Sequence, residues 1–117
     1  MNATGPVEAF LSHLAVERRT SAHTLDAYRR DLSALGEWAL AQSRDVLDLT
    51  GDELRLFVAS EHRRGLSPKS LQRRLSACRS YYQWLLKHGR IAASPAAALR
   101  APKAPRKLAG PLGGDAA

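Results

Sequence analysis

The fold is decided by SPKSLQRRLSACRSYYQWLLKHG, Ser67 to Gly89. Ser67 can cap a helix by accepting from a free backbone N–H, and Pro68 at the first helical position gives up an N–H that has no partner there. Leu71, Leu75, Cys78, Tyr82 and Leu85 follow at three- and four-residue steps, which puts them on one face of a helix running to about His88. Gly89 then ends it by taking the left-handed conformation. A single helix of this length with one apolar stripe has to bury that stripe against others.

Those others lie upstream. Thr50-Gly51-Asp52-Glu53 has the spacing of a capping box, and Leu54, Phe57 and Val58 form the apolar face of a helix that Gly65 closes. Ser21 reads as the N-cap of an earlier helix, with Thr24 in its first turn. Leu25, Tyr28, Leu32, Leu35 and Ala39 form its stripe as far as about Gln42. Gly36 inside that helix is expected to mark a close helix contact. Pro6 opens the first helix, with Val7, Phe10, Leu11 and Leu14 inward and an end near Arg18. Downstream, Ser94-Pro95 repeats the start signal for a short Ala-rich helix to about Arg100. β-branched residues are sparse and no alternating run lasts, so no strand is expected. The fold class is all-α: a compact bundle of four helices plus a short fifth. Residues 1–101 are expected to form the helical domain. Residues 102–117, basic and rich in Pro and Gly, read as an interdomain linker cut where another domain begins.

Composition narrows the function. The chain has 117 residues and a net charge of +7, which suits one small core. Residues 1–61 hold six Lys/Arg against ten Asp/Glu, whereas His62 to Gly114 holds twelve Lys/Arg and no acid. A half without acids is an electrostatic footprint for a polyanion, and nucleic acid is the leading one. A membrane surface would need large exposed apolar residues beside the basics, and the pattern does not supply them. The single cysteine, Cys78, cannot form an internal disulfide, and no Cys/His cluster has ligand spacing, so an intracellular, metal-free and cofactor-free protein is expected. No leader or membrane-spanning run is legible, which points to the cytoplasm and, with DNA, to the nucleoid.

Opposite the apolar stripe of the long helix lie Lys69, Arg73, Ser76, Ser80 and Lys87. Cations alternating with small hydroxyls can approach duplex DNA closely and bond phosphate oxygens or base edges. The helix start adds its dipole and the N–H groups at Ser67 to Ser70. The second helix presents His23, Asp26, Ala27 and Arg30 on the outer side, with Thr24 and Arg29 toward the flanks. Asp26 opposes a phosphate contact, so Ser21 and Thr24 are expected to act through hydroxyls and amides. Tyr81, Tyr82 and Trp84 read as core and rim aromatics, Cys78 as an inert core thiol, and Asp45 and Asp48 as loop and turn acids.

The pattern Ser21-x-x-Thr24-Leu25-x-x-Tyr28-x-x-Asp31-Leu32 is followed by Ser67-Pro68-Lys69-Ser70-x-x-Arg73-x-Leu75-Ser76-Ala77-x-Arg79-x-x-Tyr82-x-Trp84-Leu85. With Ser94-Pro95, Pro102-Lys103 and Pro105-Arg106-Lys107-Leu108, this order resembles the N-terminal core-binding domain of tyrosine recombinases of the XerC/XerD type, over residues 7 to about 108. The resemblance implies a SAM-like helical domain that forms half of a C-shaped clamp on double-stranded DNA, with its second and fourth helices in the groove. Carried over by position, Thr24, Lys69, Ser70 and Arg73 contact DNA, joined by His23, Ala27, Arg30 and Arg74. Ser21 and Ser76 complete the set, and Lys103, Arg106 and Lys107 make a basic connector toward phosphate.

The same resemblance implies partners: the catalytic domain of the same protein and XerD-like recombinase subunits on DNA, met through the first helix and the linker. It also implies a role in DNA integration and chromosome dimer resolution at cell division. Family catalysis runs through a 3′-phosphotyrosine, with a Tyr nucleophile and an Arg/Lys/His cluster in a C-terminal domain, and needs no metal or high-energy cofactor. This chain alone is therefore expected to bind DNA and cut nothing. Two other readings remain open at this level: a stand-alone helix-turn-helix regulator and a basic adaptor for an acidic protein. Against the first, the fourth helix is about twenty residues long, where a helix-turn-helix would want two short helices.

Overall fold

The ends of the helices are where the sequence's local signals act, and the computed structural model, which describes residues 5–97 and 99, places them closely. Helix α1 spans Gly5–Glu17, α2 Ala22–Ala41, α3 Gly51–Arg63 and α4 Pro68–Lys87, with a 3-10 turn at Val46–Asp48 that periodicity did not indicate. Ser21 Oγ accepts from the Thr24 N–H, and Ser67 Oγ from the Ser70 N–H, each at 3.2 Å. Thr50 and Glu53 form the reciprocal capping box, at 3.1 and 2.9 Å. Gly65, at φ 92°, and Gly89, at φ 69°, supply the left-handed residue that lets α3 and α4 stop. Ser43, at φ 59°, does the same for α2 without being glycine.

Helix α4 packs on α2, α3 and α1, and α1 also lies on α2. The core runs through their shared side: Phe10, Leu35, Leu54, Phe57, Leu75, Tyr82 and Leu85 are each 1% exposed or less. Fully burying one such side chain is worth about 1.5–3 kcal/mol, so α4's stripe alone is a large share of what holds the bundle. Tyr82 Oη donates to the Val46 carbonyl at 2.7 Å, which pins the 3-10 turn to the core. The described residues contain no strand, and none of their helices is long and apolar enough to cross a membrane.

Four expectations need correction. Residues 94–97 form turns rather than a fifth helix: the Ala97 N–H bonds the Ser94 carbonyl at 3.4 Å and the Leu99 N–H bonds the Ala96 carbonyl at 3.0 Å. So short a segment cannot offset the cost of helix nucleation. It is held instead by Ala96 and Leu99, which insert into the core at 0% and 3% exposure. Gly36 marks no close contact, since a Cβ there would meet nothing within 4 Å. The close approach is at Gly51, where a Cβ would lie 3.3 Å from the Pro95 carbonyl oxygen. Finally, the buried arc of α2 is rotated from the expected stripe. Ala27 and Asp31 are buried, while Leu25 and Tyr28 are half-buried, because α1 and α4 both pack on this helix.

The start of α4 also differs from the expectation. The Ser70 N–H is occupied by Ser67 Oγ and Pro68 has none to give, so fewer free amides face solvent there than Ser67 to Ser70 promised. The linker expected at residues 102–117, with Lys103, Arg106 and Lys107, lies outside the described residues.

Candidate nucleic-acid interface

The outer face of α4 is as the sequence predicts at its ends and altered in the middle. Lys69 and Lys87 are exposed, and Ser76 and Ser80 are half-buried. Arg73 is not a free cation. Its Nε donates to Asp31 Oδ2 at 2.9 Å and its Nη2 to Asp31 Oδ1 at 2.8 Å, a fork-on-fork pair between α4 and α2. Its side chain is still 34% exposed, while Asp31 is fully buried. The carboxylate beside it holds the Arg73 guanidinium above its ordinary range, against a smaller opposing effect of burial.

Arg74 is committed further. Its Nε donates to Asp31 Oδ1 at 3.0 Å and its Nη1 to Glu61 Oε1 on α3, and the side chain is 13% exposed. Arg64 Nη1 reaches the other oxygen of Glu61 at 3.2 Å. Two buried carboxylates and three arginines thus form one chain of ion pairs through α2, α3 and α4. A buried carboxylate left without such partners costs several kcal/mol, which is why the network closes so fully. Arg74 acts as a rivet between helices, and Arg73 as a cation shared between the rivet and solvent.

On α2, Ser21, His23 and Arg30 are exposed and Thr24 is half-buried. The Ser21 hydroxyl donates to Thr24 Oγ1 at 3.1 Å while accepting from the Thr24 N–H. That leaves the Thr24 hydroxyl hydrogen available to an outside acceptor. Ala27, expected on the outer face, is 5% exposed and presents nothing to a ligand. Arg29, at the flank, is held by Glu8 of α1 at 3.0 and 2.8 Å.

Two hollows gather cations. Arg30 and Arg74 line one with Arg29, Arg64 and Glu61, between α2 and the α3–α4 turn. Ser80 and Lys87 line the other with Arg79, Gln83, His13 of α1 and Arg18 just past its end. Sequence reasoning gave no functional role to Arg18, Arg79 or Asp31. The last had a signal: Asp31 is an acid at the four-residue step between Ala27 and Leu35, where an apolar row should continue. Cys78 and Tyr81, both core residues, have burial as the first cause that pushes each up to about 12. Burial raises Tyr82 further still. Among the described residues no group of His, Cys, Asp and Glu is placed to hold a metal ion.

A small all-helical bundle whose two 20-residue helices, α2 and α4, are locked together by buried ion pairs, with Lys69 and Lys87 exposed on α4, fits a SAM-like helical domain. Residues 7–89 match the family described as phage integrase, N-terminal SAM-like domain, and the chain belongs to that family. It is similar to the tyrosine recombinase XerC of Xanthomonas campestris pv. campestris (strain B100), 74% identical over 112 residues, which cover 95% of this chain and 35% of that protein. The tyrosine recombinase XerC of Xanthomonas axonopodis pv. citri (strain 306) is 63% identical over 122 residues, covering 95% and 40%. That of Xylella fastidiosa (strain 9a5c) is 60% identical over 112 residues, covering 95% and 38%. The chain therefore spans little more than a third of the length of these relatives. No solved structure matches it.

Proposed function

We propose that this chain is the duplex-DNA-binding, core-binding domain of a XerC-like site-specific tyrosine recombinase. The observation that carries the reading is the lack of acids from His62 to Gly114 together with an α4 on which Lys69 and Lys87 are exposed and Arg73 and Ser76 half-buried. In this reading Lys69 meets phosphate, Ser70 and Ser76 allow close approach, and Arg73 reaches a base edge. Ser21, His23, Thr24 and Arg30 of α2 contribute a second, weaker contact. Arg74 supports the face from inside, and Ala27 supports it through packing alone. Lys103, Arg106 and Lys107 extend the basic surface toward a catalytic domain.

In this reading the chain alone binds DNA without cutting it and the nucleophile belongs to the catalytic domain; burial of Tyr81 and Tyr82 in the core is consistent with that. In the whole recombinase it clamps the recombination site beside XerD-like partner subunits in the cytoplasm, for integration and chromosome dimer resolution.

Duplex titration by fluorescence anisotropy over a salt series tests the reading. Lys69→Ala is expected to weaken duplex binding about tenfold and lower the salt slope by about one, with an acidic protein competing poorly. Unchanged duplex affinity in a folded Lys69→Ala chain would remove the α4 face from the interface. Efficient competition by the acidic protein would favour the adaptor reading instead.

A further inference from the structure

The bidentate pair between Asp31 and Arg73 decides which edge of the guanidinium is left to work. A guanidinium has two edges that can bond two acceptors at once: the side edge, Nε with one Nη, and the end edge, Nη1 with Nη2. Asp31 occupies the side edge of Arg73, through Nε at 2.9 Å and Nη2 at 2.8 Å. What remains is the end edge, on a side chain still 34% exposed. Its positive charge is already offset by a fully buried carboxylate, so it is a poor general counter-charge for phosphate. As a directional donor pair it is well held. Guanine offers two adjacent acceptors, O6 and N7, in the major groove, and arginine is its commonest partner.

We infer that Asp31 is a positioning residue that fixes Arg73 to read a guanine end-on, which makes this pair a specificity determinant of the duplex-binding face proposed above. The inference rests on that reading. The neighbouring Arg74 shows the contrast: Asp31 and Glu61, on two different helices, engage its Nε and Nη1, and its side chain is only 13% exposed. Of two consecutive arginines, one reads and the other holds. Lys69, exposed and without a carboxylate partner among the described residues, supplies the ordinary phosphate charge.

Selection of randomised duplexes by the 117-residue chain, followed by titration of the enriched and scrambled sites, tests this. The wild type is expected to enrich a guanine at one position. Asp31→Asn and Arg73→Ala should each lose about tenfold of that preference. Asp31→Asn removes a negative charge, so its affinity for scrambled duplex should hold or rise, with a salt slope up to about one unit steeper. A merely structural role for Asp31 would lower both affinities together. Retention of the guanine preference by folded Asp31→Asn, while Arg73→Ala loses it, overturns the inference and leaves the duplex reading standing. Unchanged affinity and preference in Arg73→Ala defeats the duplex role of Arg73 itself.

If Asp31→Asn does not fold, the wild-type chain still decides the matter by 15N NMR of its arginine side chains. The Arg73 Nε–H should stay protected from exchange in the duplex complex while the Nη signals shift. Loss of that protection on binding contradicts the assignment.

Discussion

Asp31 on α2 and Arg73 on α4 face each other across the bundle in a two-point ion pair, 42 residues apart in sequence, with the carboxylate fully buried and the guanidinium a third exposed. The pair joins the interior to the face that we assign to DNA. It divides the arginines of α4 into those that stabilise and those that bind, and that division can be measured.

Arg74→Ala should act on stability first. It strips a shared partner from Asp31 and Glu61, which are 0% and 4% exposed, and breaking a buried ion pair in this way costs about 3 kcal/mol. Urea unfolding followed by circular dichroism checks it. A loss below about 0.5 kcal/mol, the range of an exposed surface change, accompanied by weaker duplex binding, would make Arg74 a DNA contact after all.

Gly36→Ala should stabilise the chain. Gly36 lies inside α2 with open space where a Cβ would go. A helix-interior glycine costs about 1 kcal/mol relative to alanine, so the midpoint of thermal unfolding should rise by several degrees. A fall would mean that the site is crowded.

Acid should weaken the start of α3. The Thr50 N–H first, and then the Arg44 side chain, hold the Glu53 carboxyl below its ordinary 4.5. A carboxyl depressed in the folded state contributes stability that is complete above the ordinary value and is lost as pH falls through the depressed one. Thermal midpoints should therefore drop as pH is lowered from about 4.5. Glu53→Gln should flatten part of that slope, the remainder including Glu8, which is lowered by its hydrogen bond to Arg29. An unchanged slope in Glu53→Gln would show that the capping box adds nothing charge-dependent.

The helices were legible because their signals are local. Ser21, Thr50 with Glu53, Ser67-Pro68, Gly65 and Gly89 each act within a few residues of the end they set. The ion network was not legible because the pairs that join its helices are long-range: Arg74 lies 43 residues from Asp31 and 13 from Glu61. The charge split did foreshadow it, since arginines in a stretch without acids must find their carboxylates elsewhere, and ten of the eleven acids lie in residues 1–61. The supposed fifth helix failed for a related reason. Its Ser-Pro start is a true turn signal, but the fate of Ala96 and Leu99 was set by the core they enter rather than by propensity. Gly36 and Gly51 were exchanged in role because only the folded chain shows which backbone comes near.

The central claim is that α4's outer face meets duplex DNA, and amide and side-chain chemical-shift mapping of the labelled chain with a short duplex tests it most directly. The account predicts the largest shifts at Lys69, Ser70, Arg73 and Ser76, with smaller ones at His23, Thr24 and Arg30 and little change at Leu56 on the outer side of α3. Shifts centred on α3 with the α4 row unmoved would contradict it.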